Sequence, residues 1–276
     1  MSESDNLDLS REERPEESVP SPFDQAPVPD FDPAPVPGFG QTSAPDVNGV
    51  FWGWHDVFLF LMCTVLAIAI TMLAGFGLRN LFHISDTRMN IVFMLAQILA
   101  YGVSFAALKL MFRAEYGEPL LASLHWLPAG IDPAKLVFIG LGQAFTIAVL
   151  SAFMNIPQME TPMSRLLADR PTAIVIAVLG VTIAPLAEEL AFRGLLQPLM
   201  VRTIGVIPGI LVTSLLFGAM HLAQYGAWQS VVLITLAGAG FGAMRHVTGS
   251  TRASAIMHAG YNSTLFILFF TQKGVR

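Results

Sequence analysis

The feature that most constrains this chain is a series of seven apolar stretches, each long enough to cross about 30 Å of hydrocarbon as a helix. They run at about 55–78, 90–112, 136–155, 172–201, 206–224, 228–246 and 252–271. The expected fold is all-α: a polytopic membrane protein of about seven transmembrane helices. The charge content agrees, because only 13% of the residues are charged, about half the share usual in a soluble domain. Those charges cluster between the apolar runs instead of spreading along helix faces. Trp52 and Trp54 before the first run, Arg79 at its end, and Lys109 and Arg113 at the end of the second are placed to anchor helix ends at the interface.

Residues 1–50 are a different material. They hold 11 acidic and 2 basic residues, and nine of the chain's 18 prolines fall before residue 50. Such a segment cannot bury enough apolar surface to offset its ordering entropy, which predicts a disordered acidic, proline-rich leader over 1–50 and a membrane domain over 51–276. The leader lacks the basic and apolar regions of a cleavable signal peptide, so the first spanning helix is expected to serve as an uncleaved anchor. The expected location is the lipid bilayer, as a multi-pass protein of the plasma (inner) membrane. No basic stripe exists for nucleic acid. The single cysteine, Cys63, lies inside an apolar run, reads as a small core residue, and rules out both a disulfide framework and a cysteine metal site.

Loop charge does not orient the domain, with seven Lys and Arg on the N-terminal side and six on the other. Tyr116 to Leu127 mixes leucines with polar residues and reads equally as an interfacial amphipathic helix or as an irregular loop. Gln97, Gln143 and Asn155 are expected to act as interhelical hydrogen-bond glue. Gly238-Ala239-Gly240-Phe241-Gly242 offers a small-residue face for close helix approach.

The ionisable groups inside the apolar runs carry the chemistry. Glu188 and Glu189 are flanked by apolar sequence, and an acid at mid-helix costs on the order of 2.5–3.5 kcal/mol on insertion scales. Arg193, at i, i+4 from Glu189, is placed to pair with it, whereas Glu188 lies about 100° round the helix and faces elsewhere. Glu189 with Arg193 therefore reads as structural support, and Glu188 as a free general base. His221 closes the fifth run, and His258 and Asn262 share one helix face in the seventh. Counting residues at about 1.5 Å each puts Glu188, His221 and Asn262 at comparable depth, with a kink expected at Pro185. His55, His83, His125 and His246 fall at run ends or in loops and receive no role.

At these residues the chain resembles the CPBP family of CAAX proteases and bacteriocin-processing enzymes, also called the ABI family of intramembrane proteases. Its three motifs occur here in order: Glu188-Glu189 with Arg193, Phe217 with His221, and His258 with Asn262. The resemblance covers about 170–270 and places the protease-like core there. It implies an intramembrane endopeptidase acting on a membrane-associated peptide or protein substrate of the prenylated CAAX type. Glu188 with His221 would activate water, His258 and Asn262 would stabilise the oxyanion, and Phe217, Glu189 and Arg193 would support them. The family has also carried the label metalloprotease. Zinc or another divalent metal would fall to Glu188, His221 and His258, but no HExxH helix is present, and the reading adopted uses no metal cofactor. The alternative is a non-catalytic membrane binding, immunity or scaffold protein on the same fold. A transporter would need internal symmetry, and none is found.

Overall fold

Capping residues and prolines punctuate the apolar runs and decide where each helix begins. The computed structural model describes residues 49–157 and 159–272, so the leader expected over 1–50 lies outside the described residues apart from its last two positions. The helices are α1 (Trp54–Phe82), α2 (Asp86–Met111), α3 (Leu120–Ser123), α4 (Pro133–Phe153), α5 (Pro162–Leu166), α6 (Arg170–Val181), α7 (Ile183–Glu189), α8 (Gln197–Ile204), α9 (Val206–Met220), α10 (Leu222–Tyr225), α11 (Trp228–Thr248) and α12 (Thr251–Gln272). Two π-helical stretches, Phe112–Tyr116 and Leu190–Leu196, extend α2 and join α7 to α8. Asp132 accepts from the amide of Ala134 to open α4, and Asp169 accepts from that of Thr172 to open α6, each with a proline in the first turn. Gly117, Gly226 and Gly249 take left-handed backbone at the ends of their helices, where a Cβ would be strained.

Six helices are long and apolar enough to cross a membrane, and a seventh span results if the bent pair Arg170–Val181 and Ile183–Ile204 is taken as one. This matches the seven runs of the sequence. The fourth span is not the single helix expected over 172–201, because it bends by 41° at its break. The break falls at Thr182 and not at Pro185. Pro185 has no N–H to offer the Val181 carbonyl one turn earlier and its ring crowds that carbonyl, so the distortion appears ahead of the proline.

Of the six single-helix candidate spans, α12 is the most enclosed by other helices and α1 the most exposed. Phe58, Leu61, Leu66 and Leu73 of α1 point outward, as a lipid-facing helix requires. Where α12 crosses α4 the backbones nearly touch. A Cβ on Gly140 would come within 2.0 Å of the Met257 carbonyl oxygen, and one on Gly260 within 2.6 Å of that of Val137. Without a hydrophobic drive between helices in lipid, such close approach supplies much of the association.

One end of the bundle is tied by its connections. Arg202 donates to the carbonyls of Val50 and Trp52, Ser250 to that of Leu127, and Thr251 to that of Leu124. Trp52, expected to anchor at the interface, is instead buried, and its Nε1 donates to the Leu195 carbonyl at 3.0 Å. Trp54 remains exposed. The 116–127 segment is neither a long amphipathic helix nor wholly irregular: its one helical turn, α3, buries Leu120, and Leu124 follows it into the same core. Cys63 is half-buried and free, on a helix facing lipid, and not in the core.

Replacing Gly140 by Ala should lower stability by about 1–3 kcal/mol, because the new methyl meets backbone that cannot step aside. Gly142→Ala, with open space around its Cβ, should be neutral or slightly stabilising. Thermal unfolding of the two purified variants in detergent compares them directly.

Candidate active site

Glu189 and Arg193 are both fully buried, and the ion pair expected at i, i+4 is present, with Arg193 Nη1 3.1 Å from Glu189 Oε1. Two further groups converge on the same carboxylate from α12. His258 Nδ1 lies 3.0 Å from Glu189 Oε1, and the Ser254 hydroxyl reaches Oε2. A carboxylate oxygen only accepts here, so Nδ1 is the protonated nitrogen of His258 and Nε2 is left for the neighbouring space. Nε2 lies 3.9 Å from Glu188 Oε2. Glu189 therefore does more than pair with arginine, since it sets the tautomer and tilt of a site histidine.

The other end of Arg193 is satisfied by α11. Nη2 donates to the Gly238 carbonyl at 2.8 Å, and the guanidinium carbon lies 4.5 Å from the ring centre of Phe217 and 5.6 Å from that of Phe241. This explains the small residues of α11 better than close helix approach does. A Cβ at Gly238 would meet Arg193 Nη2 at 3.0 Å, one at Gly242 Gln197 Oε1 at 2.8 Å, and one at Gly240 Gln143 Nε2 at 2.1 Å. The gaps admit polar side chains to main-chain carbonyls: Gln197 donates to Gly242 and Gln143 to Ala237.

Beside this network lies a cavity of about 560 Å³ whose walls include Glu188, His221, His258 and Asn262. The four residues expected to form a site are thus brought to one space from α7, the end of α9, and α12. Phe217 separates their supports, its ring centre 4.9 Å from that of His221 and 5.9 Å from that of His258. Phe241 stacks on His258 at 4.3 Å. His221 Nδ1 lies 2.8 Å from the Phe217 carbonyl. A carbonyl only accepts, so Nδ1 is again the protonated nitrogen and Nε2 the free one. Asn262 donates one amide hydrogen to the Gly180 carbonyl of α6 at 2.7 Å, which leaves the second.

Of the two histidines, His258 is the one close to Glu188. Among the described residues no His221 nitrogen comes within 4.0 Å of the Glu188 carboxylate. Glu188, His221 and His258 do not offer three ligand atoms within 4.8 Å of one another.

Several wall residues were not singled out from the sequence. Tyr101, Tyr225 and Tyr261 line the cavity. Tyr225 follows His221 by four residues and stacks parallel to it at 6.4 Å, a spacing that is legible in the sequence. Ser254 likewise precedes His258 by four residues. Gln97 was expected to be interhelical glue, but it donates to Tyr101 on its own helix at 2.8 Å and lines the cavity. Gln143 does bridge two helices, while Asn155 takes part through its main-chain carbonyl, which accepts from Gln229.

Comparison with protein families finds that the family model described as Rce1-like, type II CAAX prenyl endopeptidase, matches residues 170–264. The segment 170–264 is similar to that family. Comparison with curated proteins and with solved structures finds no match. The Rce1-like segment runs from α6 to α12 and contains all three motifs. The family it resembles is a protease family, and with six or seven candidate spans the chain is an integral, multi-pass membrane protein. The metalloprotease label receives no support, since Rce1-like proteins are in general glutamate and histidine proteases without metal.

Removing one partner of the buried pair strands the other. Arg193→Met should cost about 3–5 kcal/mol and sharply reduce the yield of monodisperse protein. Ser254→Ala, which removes one hydrogen bond to Glu189, should cost about 1–3 kcal/mol. Size-exclusion profiles and thermal midpoints in detergent read both effects.

Proposed function

We propose that this protein is an intramembrane endopeptidase that hydrolyses a peptide bond of a membrane-associated substrate of the prenylated CAAX type, with water activated by Glu188 and His221. The observation that carries this reading is the convergence of Glu188, His221, His258 and Asn262 on one cavity, inside the segment that matches a protease family.

Glu188 and His221 line the same cavity, where the attacking water would lie between them. Glu188 takes a proton from this water as it attacks the scissile carbonyl, and the free Nε2 of His221 holds the other hydrogen. The C–N bond then breaks and Glu188 returns the proton to the leaving amine. Charge develops on the carbonyl oxygen. Asn262 has an amide hydrogen to spare for it, and His258, when doubly protonated, donates from Nε2 while Glu189 at Nδ1 balances its charge. No step calls for a metal, and the poor ligand geometry of the three candidate residues supports a reading without one.

The cavity is in the size range of sites that take an extended ligand. Met94, Ile98, Ile176, Leu179 and Phe266 supply its apolar wall, which suits a lipid-modified or hydrophobic peptide. The membrane proposed is the plasma (inner) membrane.

Glu188→Gln should reduce cleavage by at least about 10²-fold, the low end for loss of a general base, with an unchanged thermal midpoint. The assay is cleavage of prenylated and unprenylated fluorogenic peptides by detergent-purified protein. Full activity of Glu188→Gln would overturn the assignment of the base. Absence of cleavage of every peptide would favour the binding or immunity role.

A further inference from the structure

Outside the cavity of the proposed active site, where α1 begins and α2 ends, three metal-ligating groups meet. His55 and Asp56 stand in the first turn of α1, and Glu115 in the π-helical turn Phe112–Tyr116. His55 Nε2 is 3.2 Å from Asp56 Oδ2 and 3.6 Å from Glu115 Oε1, and all three ligand atoms lie within 4.8 Å of one another. The Tyr116 hydroxyl shares the space, donating to Asp56 Oδ2 at 3.0 Å and lying 3.3 Å from His55 Nε2.

These separations have a meaning in coordination chemistry. With metal–ligand bonds of about 2.0–2.2 Å, neighbouring corners of a tetrahedron stand about 3.3–3.6 Å apart. The two separations from the imidazole nitrogen, 3.2 and 3.6 Å, lie close to that edge. One imidazole and two carboxylates suit a borderline divalent ion such as zinc. Electrostatics points the same way. Two carboxylates lie within 4.8 Å of each other, and among the described residues no Lys or Arg comes within 4.0 Å of either; Asp56, fully buried, accepts from the Gly53 amide and the Tyr116 hydroxyl, which supply no full positive charge. The only cation the cluster itself supplies is His55, if protonated.

We propose that His55, Asp56 and Glu115 bind a divalent metal ion of the zinc type, with water at the open corner, as a structural staple between α1 and the end of α2. The site carries no chemistry on substrate. It sits beneath the ring cluster of Phe51, Trp52, Phe112 and Tyr116, and this cluster packs on Leu190 and Leu195, whose π-helical stretch follows directly after Glu188 and Glu189. A metal here would stiffen the frame of the active site from outside. Inhibition by a chelator would then be slow and partial, and would not by itself indicate a catalytic metal. The proposal is independent of the proteolytic reading.

The test uses full-length protein in detergent, stripped with chelator and dialysed against zinc, with bound metal measured by plasma mass spectrometry and stability by thermal unfolding. Wild type and Glu188→Gln should each retain about one zinc per chain and gain thermal stability. Glu115→Gln and His55→Gln, both at exposed positions, should fold without zinc and lose at least tenfold in affinity. If wild type takes up no stoichiometric zinc and its midpoint does not move, the cluster is only an imidazolium–carboxylate pair and the proposal fails. If Glu188→Gln loses the zinc while Glu115→Gln keeps it, the ion belongs to the cavity. That result overturns both this site and the metal-free mechanism.

Discussion

A single carboxylate, Glu189, dictates the arrangement of the core. It is fully buried in a membrane protein and accepts from Arg193, His258 and Ser254. A charge so placed is tolerated only when its lone pairs are occupied and an opposite charge is adjacent. Meeting that demand brings α12 against α7. It also carries Arg193 across to the Gly238 carbonyl, so α11 must present no side chain there. The backbone contact of α4 with α12 at Gly140 and Gly260 holds α12 from its other side. The position of one acid thus fixes the relation of four helices.

The same constraint divides the labour of two adjacent glutamates. With Glu189 committed inward, Glu188 is rotated by about 100° and emerges into the cavity. The bend at Thr182 and the π-helical turn from Leu190 to Leu196 bracket this pair. Departures from regular helix of this kind gather where a side chain must be aimed. His221 and His258 are each held at Nδ1, one by a main-chain carbonyl and one by Glu189. Their Nε2 atoms remain for the cavity, a degree of preorganisation that suits hydrolysis in an apolar space.

Much of the fold was legible in the chain. The apolar runs located the spans to within a few residues, because length and hydropathy are local properties. The pairing of Glu189 with Arg193 was legible because i, i+4 neighbours share a helix face whatever surrounds them. Trp52 was misread for the complementary reason. An aromatic residue at the start of a span looks the same whether it meets headgroups or, as here, folds back to donate to Leu195. The kink was placed at Pro185 because the residue is visible, whereas its mechanical effect falls one turn earlier.

By itself, the sequence determined that the chain crosses the membrane several times, that Glu188 and Glu189 face different directions, and that three motifs stand in order on three helices. Each of these follows from neighbours along one helix. Only the tertiary structure decided that Glu189 reaches His258 and Ser254, that His258 and not His221 lies close to Glu188, and that the small residues of α11 receive polar side chains. Those relations join residues 45 to 94 positions apart. They depend on how helices rotate and tilt against one another, and that is settled by filling space and satisfying buried polar groups across the whole bundle.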